Sequence, residues 1–140
     1  MKLMGFNLTK ILAEKNKEIN KDLKIETKID LQEIKEAKSD FIKNKEVLIG
    51  IKFNYSINYS PDIANLIFEG NILLVLDSKE AKEILKSWKE KKIPEEFRVN
   101  MFNIILMKSN VKALSMENEL NLPLHFKLPT ISLGEKPKTK

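Results

Sequence analysis

VLIGIKFNYSINYSPDIANLIFEGNILLVLD, from Val47 to Asp77, is the stretch that decides the fold. In its first half Val47, Ile49, Ile51, Phe53, Tyr55, Ile57 and Tyr59 share one face. Gly50, Lys52, Asn54, Ser56 and Asn58 take the other, with Leu48 the single apolar exception. A period of two marks a strand with one buried and one wet face, because successive side chains leave opposite sides of the pleat. Ser60-Pro61-Asp62 supplies a turn, with Pro61 pre-setting φ. The even positions from Ala64 through Leu66, Phe68, Gly70, Ile72 and Leu74 to Leu76 then resume the pattern. The stretch reads as two long strands of one sheet.

Outward from this hairpin, the N-terminal side holds two more strands. Met4, Phe6 and Leu8 alternate, and Ile11 and Ala13 continue in the opposite phase, which predicts a β-bulge at Thr9-Lys10. After a polar connection at Asn16–Asp22, the residues Leu23, Ile25, Thr27, Ile29 and Leu31 alternate with Lys24, Glu26, Lys28 and Asp30. That outward row carries both charge signs and faces water. Gln32 to Glu46, anchored only by Ile34, Phe41 and Ile42, reads as a long, partly mobile connection with one short helical turn. Adjacent strands with short links predict an antiparallel meander.

On the C-terminal side the period becomes 3.6. Asp77 or Ser78 can cap a helix whose stripe is Ala81, Ile84, Leu85 and Trp88. Lys89, Lys91 and Lys92 suit the negative end of its dipole. Pro94 begins a second, longer and more apolar helix, ending near Asn118 to Asn121. The segment Leu122-Pro123-Leu124-His125-Phe126-Lys127-Leu128-Pro129 alternates between two prolines, so it is an extended arm and not a central strand. The expected architecture is α+β: a four-stranded antiparallel sheet, two C-terminal helices packed on one face, and an extended C-terminal arm. Residues 1–134 form a single domain, with 135–140 a disordered charged tail.

Composition removes several chemistries. There is no cysteine, hence no disulfide, thiolate metal site or cysteine nucleophile. His125 is the only histidine, so no multi-histidine metal site exists; beside Pro123 it reads as an exposed or capped polar residue. The four glycines are scattered singly and make no phosphate-cradling loop, and no serine lies in a G-x-S-x-G turn. Asp77, Glu80 and Glu83 read as ordinary residues of a helix N-terminal turn, and Met101, Met107 and Met116 as core filler. The expected protein is not an enzyme and has no cofactor. No apolar run is long enough to cross a bilayer, and Met1–Lys10 lacks the apolar core of a signal peptide, so a cytoplasmic home without membrane insertion is expected. The net charge is +5, from 25 basic and 20 acidic residues, but Arg98 is the sole arginine and lysines alternate with glutamates. That pattern describes a solvated surface better than a nucleic-acid footprint.

Two sets of residues are candidates for binding. Leu48, Ile63, Ile67, Leu73 and Val75 fall outside the main apolar rows, on the sheet face away from the helices, where they predict an interface between copies. Trp88, Leu124 and Phe126 lie beside the helices as candidate peptide-binding residues; for Trp88 a core position is the favoured alternative.

Asn103 to Leu122 running into Leu122-Pro123-Leu124-His125-Phe126 resembles the last helix and proline-containing ending of the SecB-type export chaperones. Met4-Gly5-Phe6-Asn7-Leu8-Thr9-Lys10-Ile11 resembles their first strand. The resemblance covers nearly the whole chain and implies an oligomer of dimers, a dimer or tetramer of this chain, holding non-native polypeptides on apolar grooves without ATP. The chain departs from that family in charge, being basic where the family is typically acidic. A nucleic-acid-binding module using the lysine-rich helix, or a purely structural assembly subunit, are the alternatives.

Overall fold

The hairpin forms as its alternation requires. In the computed structural model, which describes residues 1–38 and 45–134, β3 (Glu46–Ser60) pairs antiparallel with β4 (Ala64–Asp77) from Glu46–Asp77 to Tyr59–Ala64. Ile49, Ile51, Phe53, Tyr55, Ile57 and Tyr59 are all buried on one face, together with Leu66, Phe68, Ile72 and Leu74 of β4. These residues form the centre of the core.

β2 (Lys24–Ala37) pairs with β3, and β1 (Lys2–Lys15) pairs with β4, giving the order β1-β4-β3-β2. This differs from a simple meander, because β1 lies beside β4 and not beside β2. The reason is burial: β4 is apolar on both faces over its second half, and a central position between β1 and β3 covers its backbone on both sides. The Asn16–Leu23 connection starts this crossing, with the N–H groups of Asn16 and Lys17 donating to the carbonyl of Ile63.

The register of β1 shifts between Leu8 and Lys10, where the change of apolar phase places a bulge, and again between Leu3 and Gly5. The second shift leaves Met4 exposed, off the row it would share with Phe6 and Leu8. β2 runs to Ala37, six residues past Leu31, so 32–37 is strand where the sequence suggested a connection. A register shift between Leu31 and Glu33 hides the continuation, because it moves the inward row from odd to even positions and brings Ile34 into the core. Phe41 and Ile42 lie outside the described residues, as does the charged tail 135–140.

α1 (Ser78–Lys89) is capped by Asp77, whose Oδ1 accepts from the N–H of Glu80 at 2.7 Å. Its buried stripe, Ala81 and Ile84, faces the sheet. α2 (Glu95–Glu119) starts after Pro94 and buries Phe97, Met101, Ile105, Ser109, Ala113 and Glu117, one residue in every four. Four residues advance slightly more than one helical turn, so this stripe winds slowly round the helix and follows the twisted sheet. Both helices and the segment from Leu122 cover one face, leaving the other open.

Candidate functional site

Three regions bear on function: the open sheet face, the anchor of the C-terminal arm, and a groove at the junction of the helices.

On the open face, cross-strand pairing sets the neighbours. Lys2, Val75, Leu48 and Ala37 form one row, and Gly5, Leu73, Gly50 and Lys35 the next. Leu73 lies between the two glycines, its methyl groups 3.7 and 3.8 Å from where a Cβ on Gly5 or Gly50 would stand. A cavity of about 700 Å³ opens here, lined also by Asn7, Glu33, Lys52 and Asn71. Of the residues assigned to this face from the sequence, Leu48, Leu73 and Val75 come together. Ile67 lies farther along, with Ser56 and Leu12 as its cross-strand neighbours. Ile63 does not belong to the face. It is fully buried in the core, because the turn before β4 breaks the alternation and directs its side chain inward. The remainder of the face mixes Lys10 with Glu69, Lys52 with Glu33 and Lys28 with Asp30, so it offers no continuous cationic track.

The arm is held by a polar network between the sheet and α2. His125 is not an exposed residue, since its side chain is 4% exposed and both ring nitrogens have partners. Nδ1–H donates to Glu117, 2.8 Å from Oε2 and 3.0 Å from Oε1. Nε2 faces Asn110 Oδ1 at 2.9 Å and Tyr55 Oη at 3.1 Å. The Tyr55 hydroxyl donates to the same Asn110 Oδ1 at 2.8 Å. The Tyr59 hydroxyl lies 2.5 Å from both Glu117 Oε2 and the Pro123 carbonyl. One network therefore ties β3, α2 and the arm together. The carboxylate of Glu117 is completely buried and is tolerated there because His125 and Tyr59 replace the water it gave up. Phe126 packs edge-on against His125 with ring centroids 4.8 Å apart.

Burial, and then the charge of Glu117, push the Tyr55 hydroxyl up to about 12. Burial also raises Tyr59, followed by its hydrogen bond to Glu117. Both tyrosines are neutral in either state below pH 10, so their contribution is intact there. Above it the unfolded chain ionises first and is stabilised relative to the folded one. Stability is expected to fall as pH rises from about 10 toward 12. Denaturant melts across that window should show a steeper loss for the native chain than for Tyr55→Phe, and parallel curves would contradict this account.

The third region is a groove of about 390 Å³ at the end of α1. Ile29 and Leu31 from β2, Trp88 from α1, Ile93, and Phe102 from α2 line it, with Lys91, Lys92 and Arg98. Trp88 is half-buried, packing on the core while contributing to this groove. The groove contains neither Leu124 nor Phe126, so the three peptide-binding candidates do not share one site. Leu124 is half-buried on the arm and Phe126 is 39% exposed. The network residues Asn110, Glu117, Tyr55 and Tyr59 were missed as a group. A signal did exist, in that Glu117 falls on the same four-residue stripe as Phe97 to Ala113, and two tyrosines four apart in a buried row each need a hydroxyl partner.

Among the described residues no three His, Asp or Glu side chains converge as a metal site, and no helix is long and apolar enough to cross a membrane. No family model matches the chain, and no curated protein matches it. A solved structure does: the SecB-like chaperone Rv1957 of Mycobacterium tuberculosis, in complex with a ChAD peptide from the Rv1956 HigA1 antitoxin. The match covers 94% of this chain and 90% of that one, at 16% identity and a TM-score of 0.52. At that identity the likeness concerns architecture alone: the four-stranded antiparallel sheet with two C-terminal helices is a SecB-like fold.

Proposed function

We propose that this chain is a non-enzymatic binding protein that holds extended or non-native polypeptide segments without ATP. The observation that carries this reading is the apolar surface left uncovered beside the helices. Phe126, Leu128, Ile131 and Leu133 of the arm are all exposed, as are Val99, Met107 and Val111 of α2, and a separate groove opens beside Trp88. The solved neighbour of the same fold carries a bound antitoxin peptide, which supports a polypeptide as the partner. The balanced charges of the open face favour this over a nucleic-acid module.

Self-association, as a dimer or larger, is part of the proposal. Leu48, Leu73 and Val75 gather at one end of the open face, and although Val75 is buried, half-buried Leu48 and the 38% exposed Leu73 present apolar surface of the kind that marks an interface.

The deciding experiment is suppression of aggregation of an unfolded client, with no nucleotide, at about 50 and about 300 mM salt. Suppression is expected at both, because apolar burial is not screened. Phe126→Ala should weaken it while lowering stability by less than about 1 kcal/mol, since the ring is already partly in water. Light scattering on the same sample should give a mass above the 16.2 kDa of one chain. No suppression at either salt would remove the reading.

A further inference from the structure

We infer that the groove between β2 and the α1–α2 junction selects extended peptide segments in which acidic residues flank an aromatic or aliphatic side chain. The inference rests on the polypeptide-holding reading above and names the class of segment held.

The groove's floor is apolar, formed by Ile29, Leu31, Trp88 and Phe102, and its rim is cationic, formed by Lys91, Lys92 and Arg98. All three cations are exposed and stand on fixed backbone. The N–H of Lys91 donates to the Trp88 carbonyl and that of Lys92 to the Ser87 carbonyl, each at 2.9 Å, while Arg98 N–H donates to the Pro94 carbonyl at 3.0 Å. Among the described residues no ion pair involves any of the three. The one carboxylate lining the groove, Asp30, is already engaged by Lys28 at 3.5 Å. Glu96, close in sequence, lines a different cavity with Met1 and Glu80. The charged side chains that line the groove therefore leave it net positive.

The groove also borders a free sheet edge. β2 is an edge strand, and among the described residues no backbone bond from any element other than β3 reaches it. An extended peptide can add there as a further strand, placing alternate side chains over the apolar floor. Carboxylates beside those side chains would meet Lys91, Lys92 and the planar guanidinium of Arg98. A lysine-bearing segment would be repelled.

Trp88 is the only tryptophan, so its fluorescence in the full-length protein reports the groove directly. The probes are extended peptides with one shared set of apolar residues and either Glu, Gln or Lys between them. The Glu peptide is expected to bind about tenfold more tightly than the Gln peptide at about 50 mM salt, the gain of two or three exposed ion pairs. The Lys peptide should be weakest. Near 0.5 M salt the Glu preference should shrink to roughly twofold while Gln binding persists. Lys92→Glu with Arg98→Glu should abolish the preference yet still bind the Gln peptide, which shows that the variant is folded. Equal binding of all three peptides would overturn the acidic selection and leave the holding activity intact. Binding of none, with no suppression of aggregation, would remove the parent reading as well. A single-stranded oligonucleotide that displaces the Glu peptide and binds more tightly would overturn the inference in favour of nucleic acid.

Discussion

A His125→Ala variant is expected to lose about 3 kcal/mol or more of stability, which for a domain of this size lowers Tm by roughly 10 °C. The cost is not that of a missing ring alone. Glu117 is fully buried, and without Nδ1–H its carboxylate keeps only the Tyr59 hydroxyl as a partner. Replacing Glu117 by Gln in the same chain should recover part of the loss, because the uncompensated charge is then gone. The arm should also loosen, since His125 and the Tyr59–Pro123 contact are its polar anchors. Trypsin should accordingly cut after Lys127 faster in the variant. A loss below about 1 kcal/mol would mean that the network contributes little, as with surface ion pairs.

Gly70→Ala is expected to be at least as damaging, costing about 3 kcal/mol or more through overpacking. Gly70 pairs with Leu8 on one side and Phe53 on the other, and the Phe53 ring lies across it, stacked on Phe6 at 5.3 Å between centroids. A Cβ there would stand 2.8 Å from Phe53 Cζ and collide with the backbone carbonyl of Asn7. Because one obstacle is main chain, shortening the ring with Phe53→Leu should rescue only part of the loss. Full rescue would show that β1 gives way easily, and an unchanged Tm for Gly70→Ala would refute the packing described for this strand.

Local features were legible in the sequence. The hairpin, the bulge at Thr9, the Asp77 cap, the start of α2 at Pro94 and its end close to Asn118 all follow from period, cap chemistry or proline. What was illegible depends on partners distant in the chain. The second half of β2 was obscured because its shift between Leu31 and Glu33 interrupts the alternation, leaving a charged stretch that reads as loop. The placement of β1 was obscured because no local pattern says which strand an apolar row will meet. Ile63 was misassigned by counting alternation through a turn, where the period of two does not hold. His125 was misread because a lone imidazole beside a proline gives no hint of Glu117, eight residues back, or of two tyrosines about seventy residues away.

The position of β1 also bears on how the chain is made. Its partner is the last strand to be synthesised, with Lys2 opposite Val75 at one end and Lys15 opposite Ala64 at the other. During translation β2, β3 and β4 can zip together through short connections, while β1, made before them, waits unpaired. Until it docks, β4 presents an open edge flanked by apolar side chains on both faces. Closing so long a loop is slow relative to forming a hairpin, and a second nascent chain can supply the missing strand in the interval. Refolding at rising concentration should therefore produce strand-exchanged dimers, in which each copy lends its N-terminal fourteen-residue strand to the other.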